Sequence, residues 1–394
     1  MEVERRIGQI ERSLQIETGT YREYWLLPKS RWWIGFAAAL RLIRDGRTLR
    51  GALTPEMRES SDTAVKLSRL YRGMQDETRI DFKKRILNSD DLRPVLLEID
   101  IAALFATSSY EITWLLPDAV SGGRTAEFVA TGHGHSIEVE CKAESVDEGR
   151  KLTRASIYRT VDAITPSLLK RDVRGRIDIV VADRIPKAAA WRDTIVAAID
   201  AVPIIDGAEI AAPDGTKITL SETYKDERRL NAQDTWAAAQ KRIEPFDHVC
   251  LVGRAEGPLI VNPVKIRFRS SKRDRIVRAI FDDLRDAKNQ LSGKHPGLIC
   301  TYIPEVDDFE PVKQDSSLSN MTLKFFTEHC PDWVYGVSYG SDAVPTQYPG
   351  ASSSSAPTLG FRNRRFTGNP STILPLPGHP GFGSETAQEP QTHG

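Results

Sequence analysis

Between Thr125 and Ala143 the side chains alternate in character on both sides of a short glycine-containing segment, TGHGHS. In an extended chain successive side chains point to opposite faces. Ile137, Val139, Cys141 and Ala143 therefore share one face of a strand over Ser136–Ala143, and Glu138, Glu140 and Lys142 share the other. In the preceding run, Thr125 to Thr131, Thr125, Glu127 and Val129 oppose Ala126, Phe128 and Ala130. The glycine-rich connection suits a tight antiparallel hairpin. Closed symmetrically about His133 and Gly134, that hairpin sets Glu127 directly opposite Glu140. Cβ atoms of such partners lie roughly 4.5–5.5 Å apart, where two carboxylates repel. A divalent cation between them removes the conflict, because hard cations take carboxylate oxygens. Lys142 points the same way, close enough to hold a water or a phosphate oxygen beside such an ion. The plain alternative is a hairpin whose polar face meets solvent.

The surroundings of the hairpin predict an α/β (α+β) fold, with a mixed sheet flanked by helices. Residues 1–89 read as a helical N-terminal region: Arg31–Arg44 is apolar nearly all round, and Thr63–Met74 is amphipathic through Val65, Leu67, Leu70 and Tyr71. A core is expected over 90–205. It opens with a helix from Asp90 to Ala106, capped by Ser89 and Asp90 with Pro94 in its first turns. A strand at Tyr110–Leu116 leads into the hairpin, and a helix at Val146–Lys170, a strand at Arg176–Ala182 and a helix at Lys187–Val202 follow it. The strand at 176–182 is apolar on both faces apart from Asp178, as in a strand covered on both sides. Over 206–344, strands at His248–Val252, Leu259–Arg269 and Gly297–Ile303 and a helix at Arg273–Leu291 either complete the first sheet or form a second layer. Residues 345–394 hold eight of the 23 prolines and a run of four serines, which predicts a disordered tail.

Composition narrows the function. Lysine plus arginine and aspartate plus glutamate are equal at 54 each, so any contact with nucleic acid must come from local patches and not from a whole-protein field. The four cysteines form no CxxC pair, which argues against a zinc ribbon or a disulfide scaffold and for a reducing cytosol. The charged start, MEVERRIGQIERS, lacks the apolar core of a signal peptide. The longest apolar stretch, Trp32 to Ile43, is interrupted by Arg41 and falls short of the roughly 20 residues a bilayer needs. A cytoplasmic protein with no membrane contact is expected. There is no GxxxxGK[ST] loop, no GxSxG elbow and no HExxH, so an ATPase or helicase working with this chain would be a separate protein partner.

The pattern E–x12–ExK, from Glu127 to Glu140-Cys141-Lys142, follows a helix that carries Glu98 in VLLEIDIAALF. It resembles the PD-(D/E)xK nuclease superfamily, with its restriction-endonuclease-like core, over about residues 90–182. Glu127 stands where the family commonly has aspartate, and no proline precedes it. The resemblance implies a catalytic site of Glu127, Glu140, Lys142 and Glu98. Mg²⁺, or Mn²⁺, would be held by Glu127, Glu140 and the main-chain carbonyl of Cys141, with Glu98 as a further ligand or an outer contact. It implies a metal-dependent phosphodiester hydrolase, an endonuclease or exonuclease, acting on nucleic acid and on DNA before RNA. In such proteins the helix after the lysine often faces the nucleic-acid backbone, and here Arg150, Arg154 and Tyr158 would form one stripe on it. The alternative on the same fold is a non-catalytic nucleic-acid-binding or assembly module; a homo-oligomer is compatible with either.

Blander readings stand beside these. Glu98 is equally a solvated helix residue, and Glu138 a flanking surface charge or a group behind the site. His133 and His135 suit an exposed turn better than a metal pair. RFRSSKRDR (267–275) and FRNRRF (361–366) are basic patches that either meet phosphate or are simply solvated.

Overall fold

The alternating run folds as the hairpin it implies, and that hairpin lies inside a six-stranded sheet. The computed structural model describes residues 20–22, 36, 55–88, 92–116, 125–143, 149–171, 173, 175–186, 189–203, 205, 207–221, 230–231, 248–256, 259–272, 274–303, 317–341 and 358–368. The elements run in chain order β1 (Thr20–Arg22), α1 (Pro55–Tyr71), α2 (Asp76–Asn88), α3 (Arg93–Thr107), β2 (Glu111–Trp114), β3 (Phe128–Gly132) and β4 (His135–Ala143). Next come α4 (Arg154–Lys170), β5 (Gly175–Val181), α5 (Ala189–Ala201), β6 (Glu209–Ala211), β7 (Lys217–Ser221), β8 (Leu230–Asn231), β9 (His248–Glu256) and β10 (Leu259–Ser270). Then follow α6 (Ile276–Lys288), β11 (Gly297–Tyr302), α7 (Ser317–Lys324) with a π-helical turn (Phe325–His329), β12 (Val334–Gly340) and β13 (Thr358–Arg362). These elements build two mixed sheets flanked by helices, one in each of two compact units. The first unit is Met1–Ile7, Pro28–Ser145 and Val277–Gly394; the second is Gly8–Leu27 and Val146–Ile276. Among the described residues no helix is long and apolar enough to cross a membrane.

In the first unit the strand order is β13-β12-β11-β4-β3-β2. β2, β3 and β4 form an antiparallel meander, β4, β11 and β12 are parallel, and β13 returns antiparallel on β12. β4 is buried without interruption from Ile137 to Cys141, so both of its faces are covered. The apolar stripe of α3 (Val95, Ile99, Ala102, Phe105) packs with Phe128, Ala130, Ile137 and Val139 on one face. Gln290 and Ser292, just past α6, bond Lys142 and Glu138 on the other. α2 carries Asp76 and Glu77 in its first turn and Arg85 in its last, in the sense that favours a helix dipole. It buries Thr78 and Phe82 one turn apart, and the Phe82 ring meets Trp114 edge-on at 4.8 Å. The chain leaves α3 through Ser109 at φ 64°, and a Cβ on Gly132 would approach the Ser109 carbonyl to 2.9 Å, so glycine is required there.

In the second unit the order is β1-β9-β10-β5-β7-β6, with β8 also on β10. Among its described strands only β5 and β10 run parallel. α4 and α5 cover this sheet with Ile157, Val161, Ile164, Leu168, Ile195 and Ile199. Thr153 caps α4, its side chain accepting from the Ser156 amide.

Three expectations are corrected. First, residues 90–205 do not share one core: β5, expected beside the hairpin, belongs to the second unit's sheet. The parallel neighbour of β4 is β11, preceded by α6. A doubly covered apolar strand reads alike whichever sheet it enters, and RIDIVV and GLICTY are interchangeable on that ground. Second, the tail beyond Pro345 is not disordered throughout. β13 pairs along β12, Leu359 is buried, and the Asn363 side chain donates to the Val334 carbonyl at 2.8 Å. Within FRNRRF, Arg365 donates to the Thr327 carbonyl at 2.7 Å and Phe366 lies against Tyr335. The proline and serine content around this short strand concealed it. Third, RFRSSKRDR is not a free basic patch: Arg267 is buried against Asp178, and Asp274 accepts from the Lys151 amide at 2.7 Å. The helix expected at Arg31–Arg44 falls, except for Phe36, outside the described residues, as do Ser89 and Asp90. α3 begins at Leu92 with no side-chain cap and with Pro94 in its first turn.

Candidate active site

The site is built by the end of the hairpin remote from its turn. His133 and Gly134 take φ of 50° and 81°, the paired left-handed conformations of a two-residue hairpin turn, and Gly132 pairs with His135. From there the register runs to Phe128 opposite Val139, which is the pairing the symmetric closure requires. The ladder ends at that pair. The Glu127 amide donates to the Val139 carbonyl at 3.0 Å, and the Glu127 carbonyl accepts from the Leu115 amide at 2.9 Å. Glu127 is thus not an in-register partner of Glu140 but sits where β3 leaves β4. Its charge nevertheless acts on both Glu140 and Glu98, raising each carboxyl.

The carbonyls of β4 obey the same period. Val139 turns its carbonyl toward β3, whereas the Glu138 amide bonds Pro296 on the β11 side. The Cys141 carbonyl, two residues beyond Val139, therefore points to the β3 side, past the last pair of that ladder. The Cys141 thiol faces the opposite way, into the core beside its register partner Cys300, and burial first and that neighbour second push it well above the ordinary thiol range. All four cysteines are free and buried.

Glu140 is 0% exposed, and among the described residues its Oε2 has no hydrogen-bond partner. Lys142 Nζ stands 2.9 Å from Glu140 Oε1 as an ion pair and donates to Gln290 Oε1. Burial pushes the Glu140 carboxyl up to about 8; the Lys142 ammonium pulls it down and Glu127 pushes it up again. Glu127 is raised by burial, against the pull of Arg85 and Lys142. Glu98, buried on α3, is raised well above the carboxylate range by burial and by Glu127, against the pull of Arg85 from α2. The Arg85 guanidinium donates to Glu98 Oε2 and lies 3.6 Å from Asp81 Oδ2. Three mutually repelling carboxylates and two cations thus share one electrostatic neighbourhood.

Within the first unit Glu98, Glu127 and Glu140 act on one another electrostatically, and Lys142 pairs with Glu140. This unit excludes the solvent-facing reading of the hairpin, since Glu138 and Glu140 are both buried. Glu138 accepts from the amide and hydroxyl of Ser292, which ties β4 to the loop after α6. His133 Nε2 bonds the Ser108 carbonyl and His135 Nε2 the Tyr110 hydroxyl, so both histidines brace the turn. Arg150, Arg154 and Tyr158 lie in the second unit. Arg150 precedes α4 and is buried, and Tyr158 packs against the apolar core, so the expected single stripe does not form. Sequence reasoning missed Arg85, because α2 itself was not expected, and Gln290, because it lies 148 residues from Lys142.

Among the described residues no three His, Cys, Asp or Glu side chains converge as a ready metal site. The donor chemistry nevertheless fits a hard divalent cation: a buried carboxylate with one oxygen facing Lys142 and the other without a partner among the described residues, a second whose charge acts on it, and a main-chain carbonyl directed past the end of β3. No family model, curated protein or solved structure matches the chain.

Proposed function

We propose that the chain is a metal-dependent phosphodiester hydrolase of the PD-(D/E)xK type, acting on nucleic acid and on DNA before RNA. The observation that carries this reading is the Glu140 carboxylate, wholly buried, with Oε1 facing the Lys142 ammonium, Oε2 without a partner among the described residues, and the charge of Glu127 acting on it. A buried unsatisfied carboxylate is costly and is kept where it has work to do. The order of elements supports the reading: a glutamate-bearing helix, three antiparallel strands, then α6 and a strand parallel to the third, with the second unit inserted in between.

Glu127, Glu140 and the Cys141 carbonyl would hold Mg²⁺ or Mn²⁺, with Glu98 as an additional carboxylate. When bound, the ion supplies Lewis-acid stabilisation of charge on the phosphate and leaving oxygens. The chain's own contribution is Lys142. Its ammonium, held between Glu140 and Gln290, orients a water or a phosphate oxygen next to the carboxylates and stabilises negative charge there. The burial of β4 keeps these charges in a low-dielectric setting, where each is worth more than in water.

The test is Mn²⁺ and Mg²⁺ titration of the wild type beside Glu140→Ala, with plasmid and oligonucleotide cleavage in the same buffers. We expect metal-dependent cleavage that falls by about 10²-fold or more in Lys142→Ala and disappears with metal binding in Glu140→Ala. The second reading, a non-catalytic nucleic-acid-binding or assembly module, draws on the engagement of Glu98 by Arg85. It requires salt-sensitive binding that survives Lys142→Ala, with no cleavage in any metal.

A further inference from the structure

Arg85 is the cation of the cluster that no expectation covered, and its contacts are unequal. It donates to buried Glu98 and stands 3.6 Å from Asp81, while Glu140 is left to Lys142 at Oε1 and has no partner at Oε2 among the described residues. A guanidinium carries one charge at the end of a long stem and is committed here to one member of a three-carboxylate group. A divalent cation carries two charges on a point and can engage several carboxylates at once. Arg85 is 30% exposed at its side chain, against 4% for Glu98, so the cation partner has solvent to move into and the carboxylate does not. α2 also ends three residues past Arg85, which leaves the guanidinium close to a helix terminus.

From this geometry we infer that Arg85 is a built-in competitor for the divalent cation: it holds Glu98 in the metal-free protein and is displaced toward solvent when the ion binds. The inference rests on the proposed cation site and adds to it a residue that sets the affinity of that site. An arginine serving only to fix α2 against α3 would stay in place on metal addition, and its removal would not improve binding.

The experiment titrates Mn²⁺ alone into the full chain by calorimetry, for the wild type, Arg85→Ala and Glu140→Ala. In parallel, phenylglyoxal modification of Arg85 in the wild type is followed by mass spectrometry with and without saturating Mn²⁺. The expected result is Mn²⁺ binding at least tenfold tighter in Arg85→Ala, and faster modification of Arg85 in the metal-loaded wild type. Binding that is unchanged or weaker in a folded Arg85→Ala overturns the inference. If Glu140→Ala still abolishes binding in that case, the cation site itself stands. If Arg85→Ala does not fold, the modification rate decides alone: acceleration supports displacement, and an unchanged or slower rate overturns it. No Mn²⁺ binding in any of the three proteins overturns both the inference and the site.

Discussion

Glu140 concentrates the cost of this site at a single residue. Its carboxyl is raised to about 8, mainly by burial, so the folded state binds that proton more tightly than the unfolded chain does. The associated stability is fully present below the unfolded carboxylate pKa, near 4.3. It is lost as pH rises through the folded value. Glu98 and Glu127 are raised as well and act in the same direction. Thermal or urea unfolding of the metal-free protein should therefore show stability falling between about pH 5 and pH 8, by up to about 1.4 kcal/mol per pH unit for each such group. Glu140→Gln, which keeps the shape and removes the charge, should flatten that slope and stabilise the protein at pH 8 by on the order of a few kcal/mol. An unchanged slope in Glu140→Gln would mean that the carboxylate is already neutralised. Glu127, Glu140 and Lys142 were legible in the sequence because alternation is local and survives any tertiary arrangement. Arg85 and Gln290 were not, because what joins them to the site is packing between segments that no period connects.

At the scale of elements, the hairpin and the β13 edge strand are opposite cases. The hairpin combines strict alternation with a His-Gly turn, and its register follows from those two features. β13 is five residues long inside a proline- and serine-rich stretch, and it is held by what comes after it. Asn363, buried at 5% exposure, donates to the Val334 and Pro331 carbonyls and accepts from the Arg365 amide. Asn363→Ala leaves buried carbonyls without a donor, so it should destabilise the first unit by about 1–3 kcal/mol. Hydrogen exchange should quicken across Val334–Gly340 in that variant, while Phe128–Gly132 keeps its protection. Equal exchange in both proteins would place β13 outside the cooperative unit.

For the molecule as a whole, the division into two units matters more than any single element. The longer segment of the second unit, Val146–Ile276, has ends that meet: the Arg275 amide donates to the Gly149 carbonyl at 2.6 Å, and the Lys151 amide to Asp274 Oδ1 at 2.7 Å. Within the first unit β4 still pairs with β11, although Val146–Ile276 lies between them in the chain. Each unit has its own apolar core, so calorimetry should resolve two unfolding transitions. Saturating Mn²⁺ should raise only the transition assigned by hydrogen exchange to the first unit, by about 2.7 kcal/mol at a hundredfold excess over Kd. A single transition, or an equal shift of both, would show that the units unfold together.

By itself the sequence determined β2, the β3–β4 hairpin, β5, β9, β10 and β11, most of the helices and the shared face of Glu140 and Lys142 on β4. These follow from periods of two and 3.6 residues and from turn chemistry, which act over a few neighbours. Only the tertiary structure decided that β11 and not β5 completes the hairpin's sheet, that Arg150, Arg154 and Tyr158 belong to another unit, and that Arg85 and Gln290 reach the carboxylates. Those outcomes depend on which buried surfaces meet between separate segments, 13 residues apart for Arg85 and Glu98 and 148 for Lys142 and Gln290, and an apolar strand carries no mark of the sheet it will join.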